Sequence, residues 1–198
     1  GKGFFDLTRI ISGSQGTIGI ITSVTMRTEP ISKNTELIVI PVFDLMDAGA
    51  VIVKALEFNP INVELFDGLT FDLALKNPQF FKDRLSKIDY YKVLLSMYTT
   101  YHVRYGRKTP DFTLLVTLDK AKLGSRTPDG VAKTLQKNHG KRARVVSSTV
   151  EKEMFWQIRR ASYTLSKFQD SNKRPSAFLE DMTVPPQNIS KFFVEIKK

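Results

Sequence analysis

Three glycines at intervals of three, Gly13, Gly16 and Gly19, lie among hydroxyl residues in the segment Ser12-Gly13-Ser14-Gln15-Gly16-Thr17-Ile18-Gly19-Ile20-Ile21. Glycine lets the backbone take positive φ and bring its N–H groups close to an anion, and Ser14 and Thr17 add donors. No helix is expected directly after them, so the segment is neither a Walker loop nor a dinucleotide fingerprint. On spacing alone a bulged hairpin accounts for it more readily than an anion loop. A second candidate is Arg159, with Tyr163 four residues on and on the same helix face. A guanidinium suits two-pronged carboxylate binding; the plainer alternative is a surface arginine paired with a nearby acid. Glu64 and Asp67 suggest paired acids, but on a strand they point to opposite faces, so they read as structural or capping groups. There is no cysteine, and the two histidines, His102 and His139, are far apart. Disulfides and thiolate chemistry are thereby excluded, and no metal site is expected within the chain.

The elements that must position these residues are legible from periodicity. Arg9 to Met26 is rich in β-branched residues, with a strand-like run from Ile18 to Met26. Pro30 with Ser32, Lys33 and Asn34 reads as a boundary, dividing residues 1–31 from residues 32–198. Leu37 to Phe43 is a strand, and Pro41 places it at an edge or bend. Asp44 caps a helix through about Phe58, which Asn59-Pro60 stops. Ile61 to Phe66 alternates as a second strand. Gly68 to Tyr105 is an interrupted helical stretch, in which Tyr90, Tyr91, Tyr98 and Tyr101 read as packing residues. Phe112 to Leu118 is a third strand, Gly130 to Asn138 a short helix, and Arg142 to Ser147 a fourth strand. Ser148 or Thr149 caps a long helix from Val150 to Phe168, with Trp156 and the Phe155 to Phe168 stripe assigned to the core. Ala177 to Val184 is a further strand, and Pro185-Pro186 opens a final helix. The order is a split βαβ arrangement: an α+β, ferredoxin-like antiparallel sheet with helical insertions. The apolar stripe Ile189, Phe192, Phe193 and Ile196, with nothing following it, reads as a domain cut short.

The composition is that of an ordinary globular chain of 198 residues, with no apolar run long enough to cross a bilayer and no signal-peptide pattern. Lys and Arg number 30 against 20 acids, a net charge of +10. The excess concentrates at Arg104/Arg107/Lys108 and at Lys137/Lys141/Arg142/Arg144, in expected loops without interleaved aromatics. That pattern supports non-specific attraction, not specific nucleic-acid recognition. One reading of this charge is a non-catalytic ferredoxin-like module that binds an anionic surface.

The run Asp6 to Thr22 resembles the closing segment of the FAD domain in the vanillyl-alcohol-oxidase/PCMH superfamily. The likeness is to the branch of glycolate oxidase, D-lactate dehydrogenase and D-2-hydroxyglutarate dehydrogenase. That family's Gly-Ser-Glu-Gly-Thr-Leu-Gly-Ile segment matches Gly13, Ser14, Gly16, Thr17, Gly19 and Ile20, with Gln15 and Ile18 as mild departures. Ile61-Asn62-Val63-Glu64-Leu65-Phe66-Asp67 is similar to its second cap-domain strand, Phe155-Trp156-Gln157-Ile158-Arg159 to its Leu-Trp-x-x-Arg helix, and Glu180 to Pro185 to its Asp-x-x-Val-Pro strand end. The resemblance implies terminal strands of a PCMH-type FAD-binding domain over 1–31, then the oxidase cap domain. It implies FAD as cofactor, hydride transfer from a D-2-hydroxy acid, an electron acceptor, and a substrate carboxylate held by Arg159 and Tyr163. The family's pyrophosphate loop and its Gly-Asp-Gly-Asn-x-His-type motif have no counterpart here, so the remainder of the FAD domain and a C-terminal segment are expected on the same polypeptide, with the base outside this chain and the piece alone inactive. A flavin-dependent transferase relative is the alternative within the family. A cytoplasmic location, with peripheral contact at the inner membrane, completes the expectation.

Overall fold

The computed structural model describes residues 6–82, 84–137, 142–168, 170, 172–173 and 184–196. The chain divides into two compact units, Gly1–Ile31 and Ser32–Lys198.

In the first unit a short helix, α1 (Thr8–Ile11), starts after Asp6, whose Oδ1 accepts the Thr8 N–H at 3.0 Å. Residues 18–31 then run without strand pairing, where the β-branched run from Ile18 to Met26 predicts a strand. A strand is made by its partner's hydrogen bonds, and the described residues of this unit hold no second extended segment to supply them. Ile18, Ile20, Ile21, Val24 and Met26 are accordingly exposed.

The second unit is an α+β fold built on one antiparallel sheet. Its strands are β1 (Thr35–Val42), β2 (Asn62–Asp67), β3 (Phe112–Asp119) and β4 (Arg144–Val146), in the order β2-β3-β1-β4. That is the ferredoxin-like order the split βαβ pattern predicts. β1 and β3 pair along their whole length, from Thr35 opposite Asp119 to Val42 opposite Phe112. β4 reaches only Leu37 to Val39. Pro41 therefore sits in a central strand, contrary to the edge expectation, but on the half of β1 that β4 does not reach.

Alternation sends the strand residues to two cores. Leu37, Val39, Phe66 and Leu115 pack under α3 (Gly68–Lys76), α4 (Lys87–Thr99) and α6 (Thr149–Ser166). Ile38, Ile40, Val42, Leu114 and Val116 pack under α2 (Leu45–Leu56) and α5 (Pro128–Lys137), joined by Ile189 and Phe193 of α7 (Ile189–Ile196). The caps fall where expected: Asp44 Oδ1 accepts the Met46 N–H at 2.9 Å, Asp67 Oδ1 the Thr70 N–H at 2.8 Å, and Ser148 Oγ the Glu151 N–H at 3.4 Å. Ser190 Oγ accepts the Gly49 N–H and donates to the Met46 carbonyl, both at 3.0 Å, and so pins α7 to α2. The expected core assignment fails at three aromatics. Tyr91 and Tyr98 are 59% exposed because they lie on the side of α4 opposite Val93 and Met97, and Phe168 lies past the end of α6, meeting the ring of Phe80 edge-on. The strand expected over 177–184 falls, apart from Val184, outside the described residues, as does the motif from Glu180 to Thr183.

Two positions test this packing. Gly68 opens α3 directly against the incoming β3 loop: its N–H donates to the Asp111 carbonyl at 2.9 Å, and a Cβ there would lie 2.2 Å from the Pro110 carbonyl oxygen. Gly68→Ala is expected to lower the unfolding free energy by about 2–4 kcal/mol, measured by urea titration, because backbone and not a flexible side chain must move. Burial pushes the Tyr105 phenol up to about 12, against the opposing hydrogen bond from Thr113. The folded state thus favours the neutral phenol. Its contribution is intact below pH ~10, the unfolded value, and is lost as pH rises toward 12. Tyr105→Phe, at a cost of about 1 kcal/mol near neutrality, is expected to flatten that alkaline loss in pH-dependent melting curves.

Candidate functional site

The glycine segment forms consecutive turns after α1. Gly13 and Gly16 have φ of 84° and 80°, and Gln15 between them has φ of 50°. Nothing lies within 4 Å of where a Cβ would stand on Gly13, Gly16 or Gly19. The Ser14 N–H donates to the Ile11 carbonyl at 3.1 Å, and the Ser14 carbonyl accepts both the N–H and the hydroxyl of Thr17, at 3.0 and 2.7 Å. Left-handed backbone at Gly13, Gln15 and Gly16 is the conformation that glycine adopts without steric cost. Among the described residues no strand flanks the turns, so the expected bulged hairpin is not formed there. Of the residues singled out, Gly13, Ser14, Gly16, Thr17, Gly19 and Ile20 thus sit together on the first unit. The side of each glycine on which a Cβ would stand is open.

Arg159 and Tyr163 belong to the second unit, one turn apart on α6. The helix forms because Met154, Phe155, Ile158, Ala161 and Leu165 make a continuous buried stripe. Arg159 stands beside that stripe and reaches the edge strand β2, where its Nε and Nη2 donate to the single oxygen Oε2 of Glu64, at 2.9 and 2.8 Å. Glu64 arrives there by parity: Val63 and Leu65 face the α2 side of the sheet, so Glu64 faces α6. The guanidinium has five N–H donors, and this contact uses two. Tyr163 is exposed, with the Lys167 ammonium 5.1 Å from its ring centre, and no hydrogen bond joins it to Arg159. Sequence reasoning placed Glu64 as structural and missed it as the partner of Arg159. The signal was present in the alternation of residues 61–66 with the stripe of α6.

Two further acids tie α6 to the sheet. Glu36 receives Lys120 on one oxygen at 2.6 Å and Lys152 on the other at 2.9 Å. Burial opposes its ionisation, but the two ammonium groups together outweigh this and hold its carboxyl below the usual carboxylate range. Glu151 is gripped by both terminal nitrogens of Arg144 and by Arg104 at 3.4 Å. Arg142 donates to the Arg104 carbonyl at 2.7 Å. The basic cluster at 142–144 is therefore largely engaged inside the unit. His102 stacks on Tyr98 and accepts from Arg107 at 3.2 Å; His139 lies outside the described residues. Among the described residues no group of three metal-binding side chains gathers, and no helix is long and apolar enough to cross a membrane.

Glu64 and Arg159 each keep about a third of their side-chain surface in solvent, so their coupling is expected to stay below about 1 kcal/mol. A double-mutant cycle with Glu64→Gln and Arg159→Lys, read by urea unfolding, checks this. A coupling above about 3 kcal/mol would make the pair a buried structural bridge.

Residues 31–198 match the family described as FAD linked oxidases, C-terminal domain. No curated protein matches the chain.

Proposed function

We propose, from the premise that the chain belongs to the FAD linked oxidases through their C-terminal domain, that its parent protein oxidises a D-2-hydroxy acid of the lactate, glycolate or 2-hydroxyglutarate class. The family makes it part of an FAD-dependent oxidoreductase. The observation that carries the finer reading is Arg159: a guanidinium that meets Glu64 through two of its donors while the other three stay uncommitted among the described residues.

In this reading the free edge of Arg159 takes the substrate carboxylate in a two-pronged contact, which fixes the distance from carboxylate to C2. Glu64 acts through Arg159, as a positioning residue that prevents the guanidinium from swinging into solvent. The Tyr163 hydroxyl, one turn along the same face, offers a further donor to the substrate. On the first unit, the backbone N–H groups of Gly13, Gly16, Gly19 and Ile20, with the Ser14 and Thr17 hydroxyls, contact the cofactor. FAD, when bound, supplies the acceptor for the hydride leaving C2. The hydroxyl proton goes to a base that this chain does not supply, and electrons leave to a separate acceptor. Residues 1–31 are read as the closing part of an FAD-binding domain.

The reading that the basic loops serve an anionic surface is weakened by the pairing of Arg144 with Glu151 and of Arg142 with the Arg104 carbonyl.

In the full-length enzyme, Arg159→Ala is expected to lower kcat/KM for the hydroxy acid by about a hundredfold, roughly 2.7 kcal/mol, with flavin absorbance unchanged. Glu64→Gln should raise KM more than it lowers kcat. Unchanged kinetics in Arg159→Ala would remove Arg159 from the substrate site, and a full-length protein that holds no flavin would remove the oxidoreductase reading altogether.

A further inference from the structure

The helix α4 is apolar on two sides. Val93 and Met97 turn into the core, while Ile88, Tyr91, Leu95 and Tyr98 recur every three or four residues on the opposite side. That outer row is bare. Ile88 and Leu95 are 68% and 67% exposed, more open even than the two tyrosines. The row runs the length of the 13-residue helix, about 20 Å at the usual rise per residue. A single apolar side chain at a surface needs no explanation, but four in one row along one element mark a contact face. Burial of Val93 and Met97 already anchors the helix, so the packing of this unit does not call for the outer row.

Charge says what that face meets. Steps of about 100° per residue place Lys87 on one margin of the row and Lys92 on the other. Lys92 is more than half exposed and lies 3.9 Å from Asp89, the one acid of the helix. Asp89 is also occupied at the cap, where it accepts the Ser86 hydroxyl at 2.7 Å. From Tyr90 to Pro110 the chain then carries no acid, against Lys92, Arg104, Arg107 and Lys108. Arg104 is engaged by Glu151. Arg107 donates to His102, and Lys108 lies over the Phe43 ring, 5.8 Å from its centre, so neither of these two cations meets an acid there. None of the cations around α4 belongs to the paired cluster at 142–144.

We propose that α4 docks the protein on an anionic membrane surface, lying along it with the outer row sunk into the lipid interface. Ile88 and Leu95 enter the acyl boundary, and Tyr91 and Tyr98 keep their rings there with the hydroxyls at headgroup level. Lys87 and Lys92 bury their stems and bring their ammonium groups to the lipid phosphates. A plane of anionic headgroups meets the whole row and both margins together. An acidic protein would need a groove cut to the same row, and a second copy would bring its own charge of +10 against this one. The contact is peripheral, since among the described residues no helix is long and apolar enough to cross a bilayer. It is independent of the flavin and substrate reading, because Arg159, Tyr163 and the glycine segment take no part in it.

The test is sedimentation of the full-length protein with vesicles of phosphatidylcholine alone, and of phosphatidylcholine and phosphatidylglycerol in equal parts. Binding is expected to the mixed vesicles only. Lys87→Gln combined with Lys92→Gln should weaken it about thirtyfold, at about fivefold per lysine. Leu95→Ser should weaken it about tenfold. These positions are exposed, so both variants are expected to melt with the parent. Absence of sedimentation, or equal sedimentation of parent and variants, overturns the proposal. So does a loss confined to the lysine variant, which would leave charge attraction without the apolar row. Self-association of the parent in analytical ultracentrifugation, abolished by Leu95→Ser, would give the face to a second copy and overturn it as well.

Discussion

Eight consecutive antiparallel pairs join β1 to β3, and every other element of the larger unit takes its place from that ladder. Because neighbouring residues on a strand face opposite ways, one register decides two cores together. Ile38, Ile40, Leu114 and Val116 go to one side, and Leu37, Val39 and Leu115 to the other. A slip of one residue would expose both sets at once. Neither β2 nor β4 imposes such a constraint: β4 contributes three paired residues, and among the described residues β2 pairs with β3 alone.

The long helix α6 is tied across this sheet by a series of ion pairs, each to a different strand. Glu151 meets Arg144 of β4, Lys152 meets Glu36 of β1, and Arg159 meets Glu64 of β2. Burial of the apolar stripe holds the helix down but is indifferent to small rotations and slides. Charged groups at fixed places are not. The two more buried attachments, Glu151 to Arg144 and Lys152 to Glu36, hold the first turn of α6 to the sheet, and the more exposed pair of Arg159 with Glu64 adds little energy to them.

Much of this was legible from residue order. The β2-β3-β1-β4 plan, the caps at Asp44, Asp67 and Ser148, and the buried stripe of α6 all follow from local rules that the tertiary structure does not override. What escaped is pairwise and distant in sequence. Glu64 and Arg159 are 95 positions apart, and Lys152 and Glu36 are 116, so no local pattern joins them. The strand foreseen for residues 18–26 shows the converse: β-branched residues favour extension, but a strand needs a partner. The exposed Tyr91 and Tyr98 show a third limit. On α4 two faces carry apolar residues at helical spacing, and periodicity alone cannot tell which one turns inward.

The ladder between β1 and β3 also has a history in time. Thr35 finds Asp119 only after the intervening chain, with its helices α2 to α4, has been made. At ribosomal speeds of about 5–20 residues per second, β1 waits roughly 4–16 seconds for its central partner. β2, its neighbour in sequence, cannot substitute, since the two strands lie on opposite sides of β3. During that interval the nascent chain carries an apolar strand with both edges open. Synthesis that pauses ahead of Phe112 would lengthen that exposure, whereas a pause after Asp119 would leave open only the edge of β1 that β4 later covers.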